Sequence, residues 1–236
     1  MTVILEAREL GRTYLGGDGS PITVLDGLEV AVAAGEFVAI VGASGAGKST
    51  LLHLLGALDG PSHGSVHLEG RSVGSLTPVE KARVRNERVG FVFQFHHLLR
   101  DFTAVENVMM PLVIAGVSEA EATGRAVEVL NQLGLGHRLG HYPAQLSGGE
   151  QQRAAVARAV VTRPAVVLAD EPSGNLDPAN ARVLHEVLAA LRERFNTALV
   201  VATHNSELAS QADRVLRLEG GRLTELDRSA ERPAAL

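Results

Sequence analysis

The chain has 236 residues, of which 45% are hydrophobic, and carries a formal net charge of −5 with an isoelectric point near 6.0. The length allows one large α/β domain, or one domain with a small insert, and the acidic balance argues against a nucleic-acid partner. The chain has no cysteine, no apolar run that approaches the ~20 residues of a membrane-spanning helix, and no basic segment at its start. We therefore expect a cytoplasmic protein without disulfides or a signal peptide, which contacts a membrane only through partners.

Residues 1–35 are expected to form antiparallel strands, because apolar and polar residues alternate there. Gly-Gly-Asp-Gly at residues 16–19 predicts a turn between two of these strands. A further strand is predicted around residues 66–68. The alternating apolar positions are Leu28, Val30 and Val32 in the first segment, and Val66 and Leu68 in the second.

A phosphate-binding loop is the clearest motif of the chain. Residues 37–41 (FVAIV) predict a strand buried on both faces, and a helix-compatible segment begins at Thr50. Between them, residues 42–49 (GASGAGKS) satisfy the pattern G-x-x-x-x-G-K-[ST]. Its glycines let backbone N–H groups face one concavity, Lys48 can reach the β- and γ-phosphates, and the Ser49 hydroxyl can bind Mg²⁺. The predicted phosphate contacts are Gly42, Ala43, Ser44, Gly45, Ala46, Gly47, Lys48, Ser49 and Thr50.

The sequence becomes helical in character from about residue 95 to residue 160, after a second predicted buried strand at residues 89–93 (VGFVF). Thr103-x-x-Glu106 and Ser118-x-x-Glu121 have the spacing of helix-capping boxes. Apolar residues then recur at helical spacing until Gly134, which favours a helix end. We expect residues 95–160 to be an inserted α-helical subdomain.

Residues 146–153 (LSGGEQQR) predict another helix start, since Ser147 and Glu150 also have capping-box spacing. Gly148 and Gly149 leave the backbone N–H groups of the first turn open to an anion. Two glycines at this position destabilise a helix, which argues for a bound ligand without naming it. The alternative is a helix cap that binds no ligand.

Strand and helix alternate in the last third of the chain, which indicates a mostly parallel sheet with helices on both faces. Residues 165–169 (AVVLA) and 198–202 (ALVVA) predict two more buried strands, and Asp177-Pro178 predicts a helix start between them. Gly220-Gly221 predicts a hairpin, and residues 227–236 are expected to be a frayed tail.

Asp170 and Glu171 follow one of these predicted strands, at the edge of the sheet where ligands bind in open α/β folds. One carboxylate can hold the Mg²⁺ shell while the other polarises the attacking water. The alternative is the ordinary polarity of a strand-to-turn junction. Beside a phosphate-binding loop, we favour the catalytic interpretation.

The phosphate-binding loop, LSGGEQQR and VVLADEP together resemble the motifs of ABC-type ATPases, over roughly residues 3–225. The resemblance implies an α/β fold with a P-loop NTPase (RecA-like) core, a mostly parallel sheet, an N-terminal antiparallel β subdomain and the inserted helical subdomain. It further implies that residues 1–226 form a single nucleotide-binding domain, whose ligands are ATP and Mg²⁺.

The resemblance also implies roles for individual residues. Tyr14 resembles the aromatic residue that stacks on adenine, with packing inside a small sheet as the alternative. Gln94 matches the Q-loop glutamine that senses Mg²⁺ and the partner subunit, residues 173–177 (SGNLD) match the D-loop, and His204 matches the histidine that contacts the γ-phosphate. The implied catalytic residues are Glu171 (the base), His204, Lys48 and Gln94; the implied metal ligands are Ser49, Gln94 and Asp170; and the implied contacts to the ATP of a second copy are Ser147, Gly148, Gly149 and Glu150.

Residues 91–113 resemble, within that family, the ATPase subunit of lipoprotein-releasing (Lol-type) exporters, through the segments QFHHLL, DFTA, ENV and MPL. Two departures are Arg100, where proline is usual, and Ser173, where threonine is common. This resemblance implies a homodimer of ATPase subunits, peripheral on the cytoplasmic face of the inner membrane. Transmembrane permease subunits would dock near the Q-loop and the helical subdomain, and ATP-driven dimer closure would release lipoproteins.

Two other functions stay open from the sequence. The first is a related mechanotransmission system for macrolide or peptide efflux or for cell division, which shares most of these motifs. The second is a soluble ABC ATPase of translation or DNA repair. This last class is disfavoured, because the chain has one phosphate-binding loop, one LSGGE segment and no sustained heptads between them.

Overall fold

Two β-sheets and a set of helices make up the computed structural model, which describes residues 2–226. The predicted tail at residues 227–236 lies outside the described residues. The strands are β1 (Val3–Leu15), β2 (Pro21–Ala33), β3 (Phe37–Val41), β4 (His63–Leu68), β5 (Arg71–Ser72), β6 (Val89–Val92), β7 (Val166–Asp170), β8 (Ala198–Ala202), β9 (Arg214–Glu219) and β10 (Arg222–Glu225). The helices are α1 (Lys48–Leu55), α2 (Pro78–Arg88), α3 (Ala104–Ile114), α4 (Glu119–Gln132), α5 (Gly148–Val160), α6 (Pro178–Phe195) and α7 (Ser206–Ser210).

The smaller sheet is antiparallel and has the strand order β2-β1-β4-β5. Strands β1 and β2 pair along their length, from Val3 opposite Ala33 to Leu15 opposite Pro21. The predicted turn joins them, with the N–H of Gly19 donating to the carbonyl of Gly16 at 2.9 Å. The predicted antiparallel strands are therefore confirmed.

The larger sheet has the order β10-β9-β3-β8-β7-β6 and is parallel from β9 to β6, with β10 antiparallel at its edge. The four predicted buried runs form the adjacent strands β3, β8, β7 and β6. Unbroken apolar runs predicted them because strands covered on both faces have no polar side to show. The fold-class prediction is confirmed.

The core lies on both faces of the larger sheet, and alternate residues of β3 pack into the core on opposite faces. Phe37 and Ala39 pack with apolar residues of α3, α4, α5 and α6. Val38 and Ile40 pack with α1 and with the antiparallel sheet. The strand ends are consequently held between two layers, which makes the carboxyl edge of the sheet a rigid platform.

Helix starts follow the predicted capping signals. Thr103 and Ser147 each form a reciprocal capping box with the glutamate three residues later, whereas Ser118 accepts from the N–H of Glu121 only. Helices α3, α4 and α5 lie within residues 95–160, although the boundary of a separate subdomain stays a prediction. Within residues 2–226, no helix combines the length and the apolar character needed to cross a membrane.

Candidate active site

The carboxyl ends of four neighbouring strands carry the predicted site. Strand β3 leads into the phosphate-binding loop, β8 leads towards His204, β7 ends at Asp170, and Gln94 follows β6. They enclose an open cleft of about 610 Å³. Its lining residues are Val24, Gly42, Ser44, Gly45, Gly47, Lys48, Ser49, Thr50, Gln94, Asp170, Glu171 and His204.

The phosphate-binding loop presents an uncapped helix end to this cleft. Gly47 stands before the first residue of α1 with φ 101°, and no side chain caps the helix. A Cβ at this position would come within 2.8 Å of the Val24 side chain, so the loop requires glycine here. The first-turn N–H groups and the positive end of the helix dipole are therefore available to an anion.

Lys48 lies folded over its own loop. Its Nζ donates to the carbonyls of Gly42 at 2.9 Å and Ala43 at 3.1 Å. The same Nζ lies 4.0 Å from Glu171 Oε1, and the Lys48 side chain is only 10% exposed. The cation is thus fixed at the floor of the cleft, where phosphate oxygens would meet it.

Glu171 adopts a left-handed backbone conformation with φ 46°, which costs a non-glycine residue roughly 1 kcal/mol. Two hydrogen bonds hold it there: its N–H donates to Ala202 at 2.8 Å, and its carbonyl accepts from the N–H of Gly174 at 3.0 Å. Such strain at a strand end is typical of functional sites. It turns the carboxylate into the cleft, where His204 Nδ1 lies 2.9 Å from Oε2.

Gln94 exchanges hydrogen bonds with Asn175, a residue that the sequence did not single out. Gln94 Nε2 donates to Asn175 Oδ1 at 3.0 Å, and Asn175 Nδ2 donates to the Gln94 carbonyl at 3.2 Å. The loop after β6 is thereby joined to the loop after β7. Asn175 lies in the SGNLD segment, but nothing in the sequence pairs it with a residue 81 positions away.

Tyr14 lies outside the lining of this cleft in the described part of the chain. Its hydroxyl donates to Asp59 Oδ2 at 3.2 Å, and the Arg12 guanidinium lies 4.5 Å from its ring centroid. Arg12 also pairs with Asp59 at 2.8 Å. Tyr14 as a whole is 37% exposed, and a cation–π contact and one hydrogen bond orient its ring. Its predicted role at adenine stays a prediction.

The LSGGE segment lies apart from the cleft, at the start of α5. Glu150 accepts from the Ser147 N–H at 2.8 Å and from Arg138 Nε at 2.8 Å. These two bonds lower the pKa of the Glu150 carboxyl from 4.5 to about 2, and the bond from the Ser147 N–H has the larger effect. Arg138 has no sequence signal, because it lies 12 residues before its partner in a different element.

The two glycines of this segment have different surroundings. A Cβ at Gly149 would come within 2.3 Å of Asn180 Oδ1, at the start of α6. A Cβ at Gly148 would meet only Leu176 Cδ2, at 4.0 Å. Gly149 is therefore explained by packing between two helices. At Gly148 no neighbour fills the space beside the first turn of α5, so packing does not require glycine there.

Comparisons with known proteins agree with this arrangement. A family model described as ABC transporter matches residues 25–174. The chain is 52% identical over 227 residues to the lipoprotein-releasing system ATP-binding protein LolD of Xanthomonas campestris pv. campestris (strain 8004), across 96% of this chain and 95% of that protein. It is 52% identical over 222 residues to LolD of Psychrobacter arcticus, across 94% and 98%.

Among solved structures, the chain is similar to a dimeric post-hydrolysis state of the ATP-binding cassette MJ0796 bound to ADP and Pi. The TM-score is 0.87 at 35% identity, and the match covers 95% of this chain and 98% of that one. A second dimeric structure of MJ0796, described as a bacterial ABC transporter cassette, matches equally well. The chain belongs to the ABC transporter family, as one of its ATP-binding, ATP-hydrolysing subunits.

Proposed function

We propose that this chain is the ATPase subunit of an exporter that releases lipoproteins from the inner membrane, where it is bound peripherally. The names of its LolD relatives support the cargo. The observation that carries the ATPase role is the cleft in which Lys48, Glu171 and His204 meet at the ends of adjacent strands. Membrane contact passes through permease partners.

The working unit is a homodimer in head-to-tail arrangement. The cleft of one copy contains the phosphate-binding loop of residues 42–49, which we call the phosphate cradle, and the helix end at Ser147 and Gly148 lies outside that cleft in the same chain. A second copy supplies that helix end to ATP bound in the first. Because both surfaces then contact the γ-phosphate, ATP favours the closed pair, and hydrolysis removes the contact that holds it closed.

The residues at the cleft also fit Mg²⁺. Ser49, Gln94 and Asp170 all line it and offer hydroxyl, amide and carboxylate oxygens, which hard divalent cations prefer. When bound, Mg²⁺ neutralises charge on the phosphate oxygens.

Side chains of the cleft accept the proton of the attacking water and stabilise the negative charge that develops during hydrolysis. Glu171 accepts a proton from the attacking water, Lys48 faces the developing negative charge, and the His204 ring orients the carboxylate.

The loop after Gln94 is the proposed permease contact. Contacts of the buried Asn107 side chain fix it: Oδ1 accepts from the Leu99 N–H at 2.7 Å, and the two hydrogens of Nδ2 are shared among the carbonyls of Leu99, Phe102 and Thr103. Phe95 and Leu99 nevertheless remain 65% and 44% exposed. A rigid loop that presents apolar side chains is suited to receive a partner.

Reconstitution tests the cargo directly. The chain and its permease subunits are placed in lipid vesicles with a lipid-modified protein, and release into solution is measured with ATP. We expect ATP-dependent release, and none with Glu171→Gln in place of the native chain. ATP hydrolysis without release of the lipid-modified protein would contradict the cargo and favour a related exporter.

A further inference from the structure

A buried histidine lies behind the catalytic edge, on α6. His185 is 1% exposed and Ser173 is 7% exposed. The Nε2 atom of His185 lies 3.0 Å from the Oγ atom of Ser173. The other ring nitrogen, Nδ1, is buried and has no hydrogen-bond partner in residues 2–226. An apolar side chain would fill this place without an unsatisfied nitrogen, so packing alone does not explain the histidine.

Burial favours the neutral form of the His185 ring. Burial lowers the pKa of His185 below its ordinary value, against a smaller opposing effect of Glu207 on α7. Glu207 itself lies 3.9 Å from Arg182 on α6. A neutral imidazole makes one hydrogen bond to the Ser173 hydroxyl in either tautomer, since a hydroxyl both donates and accepts. The contact is therefore a stable tether between helix and loop.

Ser173 is the midpoint of the loop that carries the hydrolytic residues. Two residues before it, Glu171 has its strained conformation, with its carbonyl bonded to Gly174. Two residues after it, Asn175 exchanges hydrogen bonds with Gln94. A tether at Ser173 consequently fixes both the carboxylate that faces Lys48 and the link to the Gln94 loop.

We propose that His185 is a positioning residue for ATP hydrolysis, which acts through Ser173 to hold Glu171 and the Gln94–Asn175 contact in place. This inference rests on the proposed roles of Glu171 and Gln94. It concerns the geometry of the hydrolytic step and not the phosphate cradle, since the hydrogen-bond partner of His185 is Ser173 in the loop after β7. The turnover number should therefore depend on His185 while the KM for ATP does not.

A double-mutant cycle on the purified chain tests the tether. We expect His185→Phe and Ser173→Ala each to lower kcat by roughly tenfold, with KM changed by less than about twofold. The double variant should be no slower than the slower single variant, because both remove one interaction. His185→Gln, which keeps a side-chain N–H, should recover most of the lost rate.

Leu188→Ala is the matched control, since Leu188 is 2% exposed on the same helix and is not bonded to the loop. The rates are compared per folded molecule, with the folded fraction taken from thermal unfolding. An equal loss of kcat in Leu188→Ala, additive effects in the cycle, or a change in KM alone would overturn the proposal. If Glu171→Gln kept the native rate, the proposed catalytic role itself would fail, whatever His185 does.

Discussion

The imidazole of His204 meets the carboxylate of Glu171 across two paired strands, with Nδ1 2.9 Å from Oε2. The backbone N–H of His204 donates to the same oxygen at 3.2 Å. Asp170 lies opposite Ala202 in the sheet, so the two residues are placed by adjacent strand ends that the core holds. The Glu171 side chain is 15% exposed and that of His204 72%, which puts the histidine on the solvent side of the pair.

Glu171→Gln should leave ATP binding intact and lower hydrolysis by about 10²–10⁴-fold, because the amide cannot accept the proton of water. The phosphate cradle and Lys48 are unchanged in this variant. Steady-state phosphate release and equilibrium nucleotide binding measure the two effects separately. Glu186→Gln, at an exposed position on α6, is the control and should hydrolyse ATP at the native rate. Near-native hydrolysis by Glu171→Gln would remove Glu171 from the catalytic role.

The fold should lose the stabilising contribution of Glu150 in acid. Its folded-state pKa of about 2 lies below the ordinary 4.5, so its contribution is present above pH 4.5 and is lost as the pH falls towards 2. At neutral pH this contribution is about 1–2 kcal/mol, because solvent screening of the ion pair with Arg138 reduces the value that the full pKa shift would give.

The test for Glu150 is urea unfolding of the native chain and of Glu150→Gln at several pH values. The difference in free energy of unfolding should be largest at pH 7 and should shrink steadily below pH 4.5. The exposed Glu186→Gln serves again as the control and should follow the native chain throughout. A difference that is independent of pH would show that the charge of Glu150 contributes nothing.

The two glycines at the start of α5 should respond differently to alanine. Gly149→Ala places a Cβ against the Asn180 side chain and should destabilise the fold by about 1–3 kcal/mol. Gly148→Ala meets no close neighbour and should leave stability unchanged or raise it by up to about 1 kcal/mol, because alanine is the better helix former. Urea unfolding of the pair gives the comparison. Equal stabilities would mean that Asn180 moves aside and that packing does not account for Gly149.

Leu99→Asp should abolish capture of the permease subunits while the isolated chain hydrolyses ATP normally. The backbone of Leu99 is held by Asn107, so the substitution changes only an exposed side chain. Val3→Asp is the control, since Val3 is 46% exposed on β1, away from the proposed contact. Copurification from detergent extracts measures capture. Undiminished copurification with Leu99→Asp would place the permease contact elsewhere.

Strand-end residues could be predicted from the sequence, because buried parallel strands have unbroken apolar runs and their carboxyl ends meet at one edge. Helix α2 has no apolar signal of this kind. It buries none of its residues, so it has no apolar period, although Thr77, Pro78 and Glu80 form its cap. The partners Asn175, Arg138 and His185 could not be predicted either. Their contacts join separate elements, and a single sequence contains no signal for such pairing.

The head-to-tail dimer is tested most directly by the oligomeric state of Glu171→Gln with and without ATP. We predict that this variant is a dimer with ATP and a monomer with ADP in analytical ultracentrifugation. Adding Ser147→Arg should keep it monomeric with ATP, while the affinity of the monomer for ATP stays unchanged. A dimer that persists with Ser147→Arg, or a monomer that no longer binds ATP, would contradict an active site shared between two copies.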